Sequence, residues 1–325
     1  MRVGRGVMQA LEVVVPGPHT TIQDQGRIGY QDVGVPRSGP LDRVSLALAN
    51  ALVGNPAAAP CLEMLLQGPT LKVLAESVRV ALVGCNATLE VRSANPRRIA
   101  AGQSVTLVRD EVLKVGSFSD SVCGYLAIEG GVDVPIVLGS ASTYVRGGIG
   151  GFRGRRLQPR DVLDLTLAAV REGAERALAR PVDLQLEHPI RVVLGPQTEY
   201  FTDEAIRTLF GSDYVVSAQA DRMGYRLQGA VLAHKAGYDI VSDGIVTGAI
   251  QVPGSGQPIV LMVDNQTTGG YPKIATVISA DVPRVARRRP GRTIRFVQVD
   301  VMEAERLRND QEAALAHEIS AIASI

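Results

Sequence analysis

The chain of 325 residues has no tryptophan, five phenylalanines, three cysteines and four histidines. Each shortage removes a class of protein. Cys61, Cys85 and Cys123 are odd in number, widely spaced and flanked mostly by apolar residues, which predicts buried free thiols rather than disulfides or a catalytic nucleophile. His19, His188, His234 and His317 form no short-spaced pair with each other or with cysteine, so no metal site is expected. No apolar run is long enough to cross a bilayer and Met1 to Ala10 lacks the apolar segment of a signal peptide, so no membrane partner is expected and the cytoplasm is the expected location. Charge of one sign is also lacking: 34 Lys and Arg against 33 Asp and Glu give +1, with no general attraction to nucleic acid.

What is abundant is glycine and proline, 34 and 18 residues, among many valines, isoleucines and leucines. That composition predicts short strands joined by tight turns, a mainly β chain with a few short helices. VVVPGPHT (13–20) is echoed by VVLGPQT (192–198), and LQGPTL (66–71) by LQGAVL (227–232). A turn feeding an alternating strand recurs at 100–108, 158–167 and 289–299. Echoes in the same order suggest a duplicated β domain. The rhythm stops at 168–189, where VREGAERALARP has helical composition closed by a proline, and the linker is placed there. The expected division is 10–180, 188–300 and a helical tail at 301–325, whose Leu307, Leu315, Ile319 and Ile322 lie near helical spacing and are expected to pack as an apolar stripe. Asp42, Thr202 and Asp281 are candidate N-caps for three short helices.

Three stretches could carry chemistry. Asp264 to Asp281, DNQTTGGYPKIATVISAD, follows the apolar run Pro258 to Val263 and so lies where a buried strand gives out into a loop. Gln266, Thr267 and Thr268 offer an amide and two hydroxyls, Gly269 and Gly270 allow close backbone approach, and Lys273 adds a charge beside Tyr271 and Pro272. A turn that satisfies only its own backbone is the plainer alternative. Thr21 to Asp42 gathers Gln23, Asp24, Arg27 and Ser38 before a helix start, a loop suited to a phosphate or carboxylate, or else an ordinary connection in which Asp24 pairs Arg27. Asp221 to Arg226 places two arginines around Gly224, suited to an anion or to a salt-bridged barrel rim. Gly147 to Gly151, followed by three arginines, reads as a flexible loop, since it has no phosphate-loop pattern. A self-contained hydrolase is hard to build: there is no G-x-S-x-G, and LGSAST (138–143) is thin for the nucleophile stretch of a Ser/Lys amidase.

QDQGRIGYQDVGVPRSGPLD, LALANALVGNP, CLEMLLQGPTL, YLAIEGGVDVPIVLGSAST, DRMGYRLQG, GAIQVPGSGQPIVLMVDNQTTGGYPKIATVISAD and PGRTIRF together resemble the biotin-dependent carboxyltransferase family, whose members are called allophanate hydrolase subunit 2, KipA or the C subunit of 5-oxoprolinase. The likeness runs from about Leu11 to Phe296. It implies two cyclophilin-like β-barrel domains and a heteromer with a KipI-like B subunit, joined in 5-oxoprolinase by a third, the A subunit. It implies ATP held by the complex, and biotin only as a carrier on another chain, since no Ala-Met-Lys-Met type segment is present here. The chain departs from the family pattern at Gln25, Pro40-Leu41 and Ala141, where the family commonly has leucine, Ala-Met and arginine.

The function the resemblance implies is that of the C subunit in an ATP-dependent 5-oxoprolinase, opening 5-oxoproline to glutamate. The alternatives are a carboxyltransferase or allophanate hydrolase-type component of urea metabolism, and a non-enzymatic KipA-type antagonist of a kinase inhibitor. Family position and residue chemistry together nominate Asp264, Asp24 and Arg222 as catalytic. Gln23, Arg27, Ser38, Gln251, Gln266, Thr267, Thr268, Gly269, Gly270 and Tyr271 are the expected contacts to a small amide or lactam.

Overall fold

The computed structural model describes residues 9–184, 186–235 and 237–325. The chain is mainly β, as the composition predicts. It divides into two compact units: one takes the residues up to Arg27, Ser38–Asp183 and Leu315–Ile325, the other Ile28–Arg37 and Leu184–Ala314.

The first unit is built from two antiparallel sheets. One runs in the order Val162–Asp164, Ala10–Val15, Thr70–Val73, Val112–Val115, Thr88–Arg92, Arg97–Ala100; the other runs His19–Gln23, Cys61–Leu65, Cys123–Ile128, Ser77–Val83, Ser104–Val108. Alternation decides which side chains enter the core: Leu11 and Val13, Leu71 and Val73, Leu89 and Val91, Leu113 and Val115 all point inward from the six-stranded sheet. Val78, Val80, Leu82, Val105, Leu107, Leu126 and Ile128 meet them from the other sheet. Each such side chain withdrawn from water is worth about 1.5–3 kcal/mol. Strand Cys123–Ile128 is buried at every position, because helix α1, Arg43–Leu52, packs against its second face.

Helix α1 begins where the sequence places it: the Asp42 carboxylate accepts from the backbone N–H of Val44 and Ser45. Behind that cap lies a buried polar knot. The Tyr125 hydroxyl donates to Glu63 Oε2 at 2.6 Å and accepts from the Asp42 N–H at 2.8 Å, while the Leu41 N–H also donates to Glu63 at 2.8 Å. Burial first, and the Glu63 charge after it, push the Tyr125 phenol well above its ordinary value, which keeps it a donor.

The second unit holds an eight-stranded sheet in the order Thr293–Ile294, Tyr214–Val216, Gly224–Gln228, Ile259–Leu261, Ala249–Gln251, Lys273–Val277, Ile190–Leu194, Phe296–Gln298. Its first and last strands are consecutive in sequence, separated by Arg295 alone, so the sheet nearly closes on itself as a barrel. Most neighbours are antiparallel; Ile190–Leu194 and Phe296–Gln298 run parallel. Helix α2, Asp203–Gly211, is capped by Thr202 as expected. A short ladder joins Asp243–Gly244 to Thr268–Gly269.

Three expectations change. The Asp281 side chain does not cap helix α3, Val282–Arg287; its buried carboxylate is instead taken by the Arg191 backbone N–H and by the guanidinium groups of Arg191 and Arg284, which leave none of it for the helix's own N–H groups. Residues 168–180 are not helical: Arg176–Ala177 pairs as a strand with Ala323–Ser324, and the Gly173 carbonyl accepts from Arg79. The Gly147 to Gly151 loop is not a loose one, since Gly150 and Gly151 sit at positive φ against Ser142 and Thr143 with no space for a side chain. Helix α4, Val301–Ser320, leaves its stripe of Leu307, Leu315 and Ile319 only half-buried. The three cysteines are buried free thiols, and no helix among the described residues is long and apolar enough to cross a membrane.

Replacing Tyr125 by phenylalanine leaves Glu63 without one donor and the Asp42 N–H without its acceptor in a fully buried site. Tyr125→Phe should lower unfolding free energy by about 1–3 kcal/mol, read as a lower urea midpoint with unchanged slope.

Candidate functional site

The sequence-predicted residues fall into two groups, one in each unit. In the first, Asp24 follows strand His19–Gln23 and turns back on the run Ser140-Ala-Ser-Thr143. Its carboxylate accepts from the hydroxyls of Ser140 and Ser142, from the Ala141 N–H at 2.6 Å and from the Gly26 N–H at 2.9 Å. Burial pushes the Asp24 carboxyl up, but these four donors outweigh it and hold it below the usual carboxylate value. The contact at position 141 is made by the main chain, so it does not depend on the side chain there.

Asp24 therefore does not pair with Arg27. The Arg27 guanidinium is buried and donates to the Ser142 carbonyl. A Cβ at Gly150, whose φ is +68°, would stand 2.1 Å from that guanidinium nitrogen and 2.2 Å from the Ser142 carbonyl oxygen, and the fixed backbone contact explains the glycine. Gln23 donates through Nε2 to the Thr143 carbonyl at 3.1 Å, while its Oε1 is buried without a partner among the described residues. Ser38 has φ +53° and a buried hydroxyl also without a partner there. An unsatisfied buried polar atom costs about 1–3 kcal/mol, and a non-glycine residue at positive φ costs a comparable amount. Such costs concentrate where a ligand repays them.

In the second unit, Arg222 and Asp264 face each other. Arg222 Nε donates to Asp264 Oδ2 at 2.8 Å and Nη2 to Oδ1 at 3.1 Å, with both side chains buried. The backbones are tied as well, the Asp264 N–H donating to the Arg222 carbonyl at 2.8 Å. Arg222 and Asp264, both expected to be catalytic, are thus directed at each other.

The loop after Asp264 builds a wall. Asn265 Nδ2 donates to the Gln266 carbonyl at 2.8 Å, and the Thr267 carbonyl accepts from the Ile245 N–H at 3.0 Å. Gly269 has no side chain where a Cβ would come within 2.8 Å of Gln251 Nε2 and 3.5 Å of Gln266 Nε2. Two amide groups therefore converge on one glycine. Gln251 is buried and touches the Tyr271 carbonyl at 3.4 Å, whereas Gln266, Thr268 and Tyr271 are exposed. The Gly270 carbonyl accepts from the Ile240 N–H at 2.8 Å.

Sequence reasoning passed over Ser140 and Ser142, which it weighed only as nucleophiles, and Asp243 and Gln197, which have no local pattern at all. Among the described residues no group of three His, Cys, Asp or Glu side chains is placed to hold a metal ion.

Residues 33–298 match the sequence profile of the carboxyltransferase domain, subdomain A and B, and the chain belongs to that family. It is 38% identical to the 5-oxoprolinase C subunit of Escherichia coli (strain K12), a match spanning 93% of this chain and 95% of that protein. It is 34% identical to the 5-oxoprolinase C subunit of Haemophilus influenzae, over 91% and 93% of the two chains. The crystal structure of the K. lactis urea amidolyase superposes with a TM-score of 0.86 at 30% identity, covering 96% of this chain and 20% of that one. This chain thus spans about a fifth of the length of that larger protein.

Asp24→Asn should cost about 1.5–3 kcal/mol, since it turns a charge-assisted acceptor into a neutral amide facing four donors. Because the folded carboxyl titrates below the unfolded value of about 3.9, its stabilisation is present above that pH and is lost as pH falls through the lowered folded value. Acid unfolding of Asp24→Asn should accordingly be shallower between about pH 4 and the lower value, followed by circular dichroism.

Proposed function

We propose that this chain is the C subunit of a heteromeric 5-oxoprolinase, which opens the lactam of 5-oxoproline to glutamate. The observation that carries the reading is the pair of glutamine amides at Gly269, in a chain similar along almost its whole length to two proteins named as the C subunit of 5-oxoprolinase. A lactam carbonyl and a carboxylate both take N–H donors. Gln251, Gln266 and the Gly269-Gly270 backbone would orient the ring, with Thr267, Thr268 and Tyr271 at its edge.

The charged residues take narrower roles than their chemistry alone suggests. Asp24, held below the usual carboxylate range by neutral donors, is a weak base at neutral pH and serves better to shape the Ser38 and Arg27 loops. Arg222 fixes Asp264, so that both carboxylate oxygens are already engaged by its guanidinium. Gln23 Oε1 and Ser38 Oγ, which lack partners among the described residues, would meet polar groups of a ligand in the first unit.

An amide carbonyl is a poor electrophile, and 5-oxoproline hydrolysis requires coupling to ATP cleavage on this reading. Neither site offers a phosphate-loop sequence or a carboxylate cluster for Mg2+ among the described residues, so ATP is assigned to the assembled enzyme. Two further chains, a KipI-like B subunit together with the A subunit, complete the assembly in this proposal. The likeness to urea amidolyase favours a second reading, transfer of a carboxyl group from carboxybiotin on another chain to urea, for which the same amides would orient urea.

Reconstitution separates these readings. The complex of this chain with the A and B subunits, given ATP and 5-oxoproline, should form glutamate and ADP, and Gln266→Ala should lower kcat/KM about tenfold. Product only from carboxybiotin and urea would select the second reading. Tight binding of the B subunit with no product formed in either assay would mark a non-enzymatic antagonist and sink both. Arg222→Ala strands a buried Asp264 and should cost about 3–5 kcal/mol, so its turnover is to be compared with Arg222→Ala/Asp264→Ala, which removes both charges.

A further inference from the structure

Lys273 is nearly inaccessible, with 4% of its side chain exposed, yet Asp243, its carboxylate partner, is 52% exposed. A buried ammonium needs its donors engaged, and Lys273 Nζ donates to Asp243 Oδ2 at 2.6 Å and to the Gly244 carbonyl at 3.0 Å. Gln197, from the turn after strand Ile190–Leu194, closes a ring with them. Its Nε2 donates to Asp243 Oδ2 at 3.2 Å and its Oε1 accepts the Lys273 N–H at 3.2 Å.

What this ring holds is the stretch 239–245. Asp243 and Gly244 pair with Gly269 and Thr268, the Ile240 N–H reaches the Gly270 carbonyl, and the Ile245 N–H reaches the Thr267 carbonyl. The buried Ile245 lies against Gly269: a Cβ there would be 2.6 Å from its Cδ1, on the same glycine where the two glutamine amides converge. The stretch otherwise adds one two-residue ladder to the unit, with Val241 and Val246 exposed. Its attachment is local, and such segments open at lower free energy than the sheet beneath them.

We propose that Lys273, Asp243 and Gln197 form a latch that fastens the 239–245 strap onto the Gln266–Gly270 loop, which makes Lys273 the positioning residue for a ligand at the Gln251 and Gln266 amides. The positioning half of this inference rests on the lactam-site reading above. The latch acts through the loop and not by contact with the reacting atoms: with its ammonium committed to the strap, Lys273 is neither a Schiff-base amine nor an anion receptor.

The test uses the full chain for hydrogen exchange and the reconstituted three-component enzyme for kinetics. Lys273→Met keeps the buried stem and removes the charge. It should speed exchange of the Ile240 and Ile245 amides about tenfold while the 190–194 strand and the 203–211 helix keep their protection. KM for 5-oxoproline should rise about tenfold with kcat within about threefold. Asp243→Asn should act in the same direction, Lys273→Met/Asp243→Asn should be no worse than Lys273→Met, and Lys273→Arg should recover part of the loss. Exchange unchanged at 240 and 245, or raised equally in the 190–194 strand, overturns the latch. If Gln266→Ala raises KM and Lys273→Met does not, the positioning role falls while the lactam site stands. If Gln266→Ala leaves kcat/KM unaltered, the site reading fails and the positioning role falls with it.

Discussion

The hydrogen bonds that Ser140, Ala141, Ser142 and Gly26 give to Asp24 hold together the geometry of the first unit's loops. A carboxylate withdrawn from water must be met by donors, and three of these come from a segment about 116–118 residues away in sequence. Once Asp24 is fixed, the Ser142 carbonyl is fixed too, and that carbonyl is what the Arg27 guanidinium addresses. Gly150 has to be glycine because a Cβ there would fall 2.2 Å from the Ser142 carbonyl oxygen, at a φ of +68°. Glu63 does for the helix end what Asp24 does for the loop, joining Leu41 to Tyr125.

The second unit satisfies its buried charges with ion pairs, the buried member being a carboxylate at Asp264 and Asp281 and the ammonium at Lys273. Asp264 is met by Arg222, Asp281 by Arg191 and Arg284, and Asp243 by Lys273. The sheet nearly closes on itself, and while the Arg222 and Asp264 backbones are already joined, the Arg191–Asp281 and Lys273–Asp243 pairs tie side chains from segments distant in sequence. Removing one partner is expensive and replacing both is much less so, so such pairs secure a particular arrangement more than they add net stability.

Much of the fold was legible because it rests on local rules. The Gly and Pro punctuation of Val-rich runs pointed to the mainly β class, and Asp42 and Thr202 cap where N-cap chemistry put them. Asp281 was misread for a physical reason: the same carboxylate suits a cap and an arginine, and only the fold brings Arg191 within reach. Residues 168–180 have helical composition, but a strand partner supplied by the last residues of the chain overrides propensity. At the site, Gln266 to Tyr271 was legible as a polar loop after a buried strand. Gln197 and Asp243 were not, because each is an ordinary polar residue until the backbone sets it beside Lys273. Ser140 and Ser142 suggest attackers by their chemistry alone, whereas hydroxyls beside a half-buried carboxylate more simply serve as donors.

The chemistry available at the Gly269 wall follows from its neutrality. Gln251 and Gln266 bring amides, and Lys273 is turned toward Asp243 and Gly244. Neutral donors can orient a carbonyl and can accommodate the carboxylate that ring opening produces, without changing protonation between the two. They cannot make a lactam reactive, since no amide side chain takes a proton or attacks a carbonyl near neutral pH. On the proposed reading this division of labour requires the driving force to arrive from elsewhere in the enzyme. The wall has to keep its shape while that happens, and a buried lysine fastening a partly exposed strap is a means of keeping it that adds no charge at the surface where the substrate would lie.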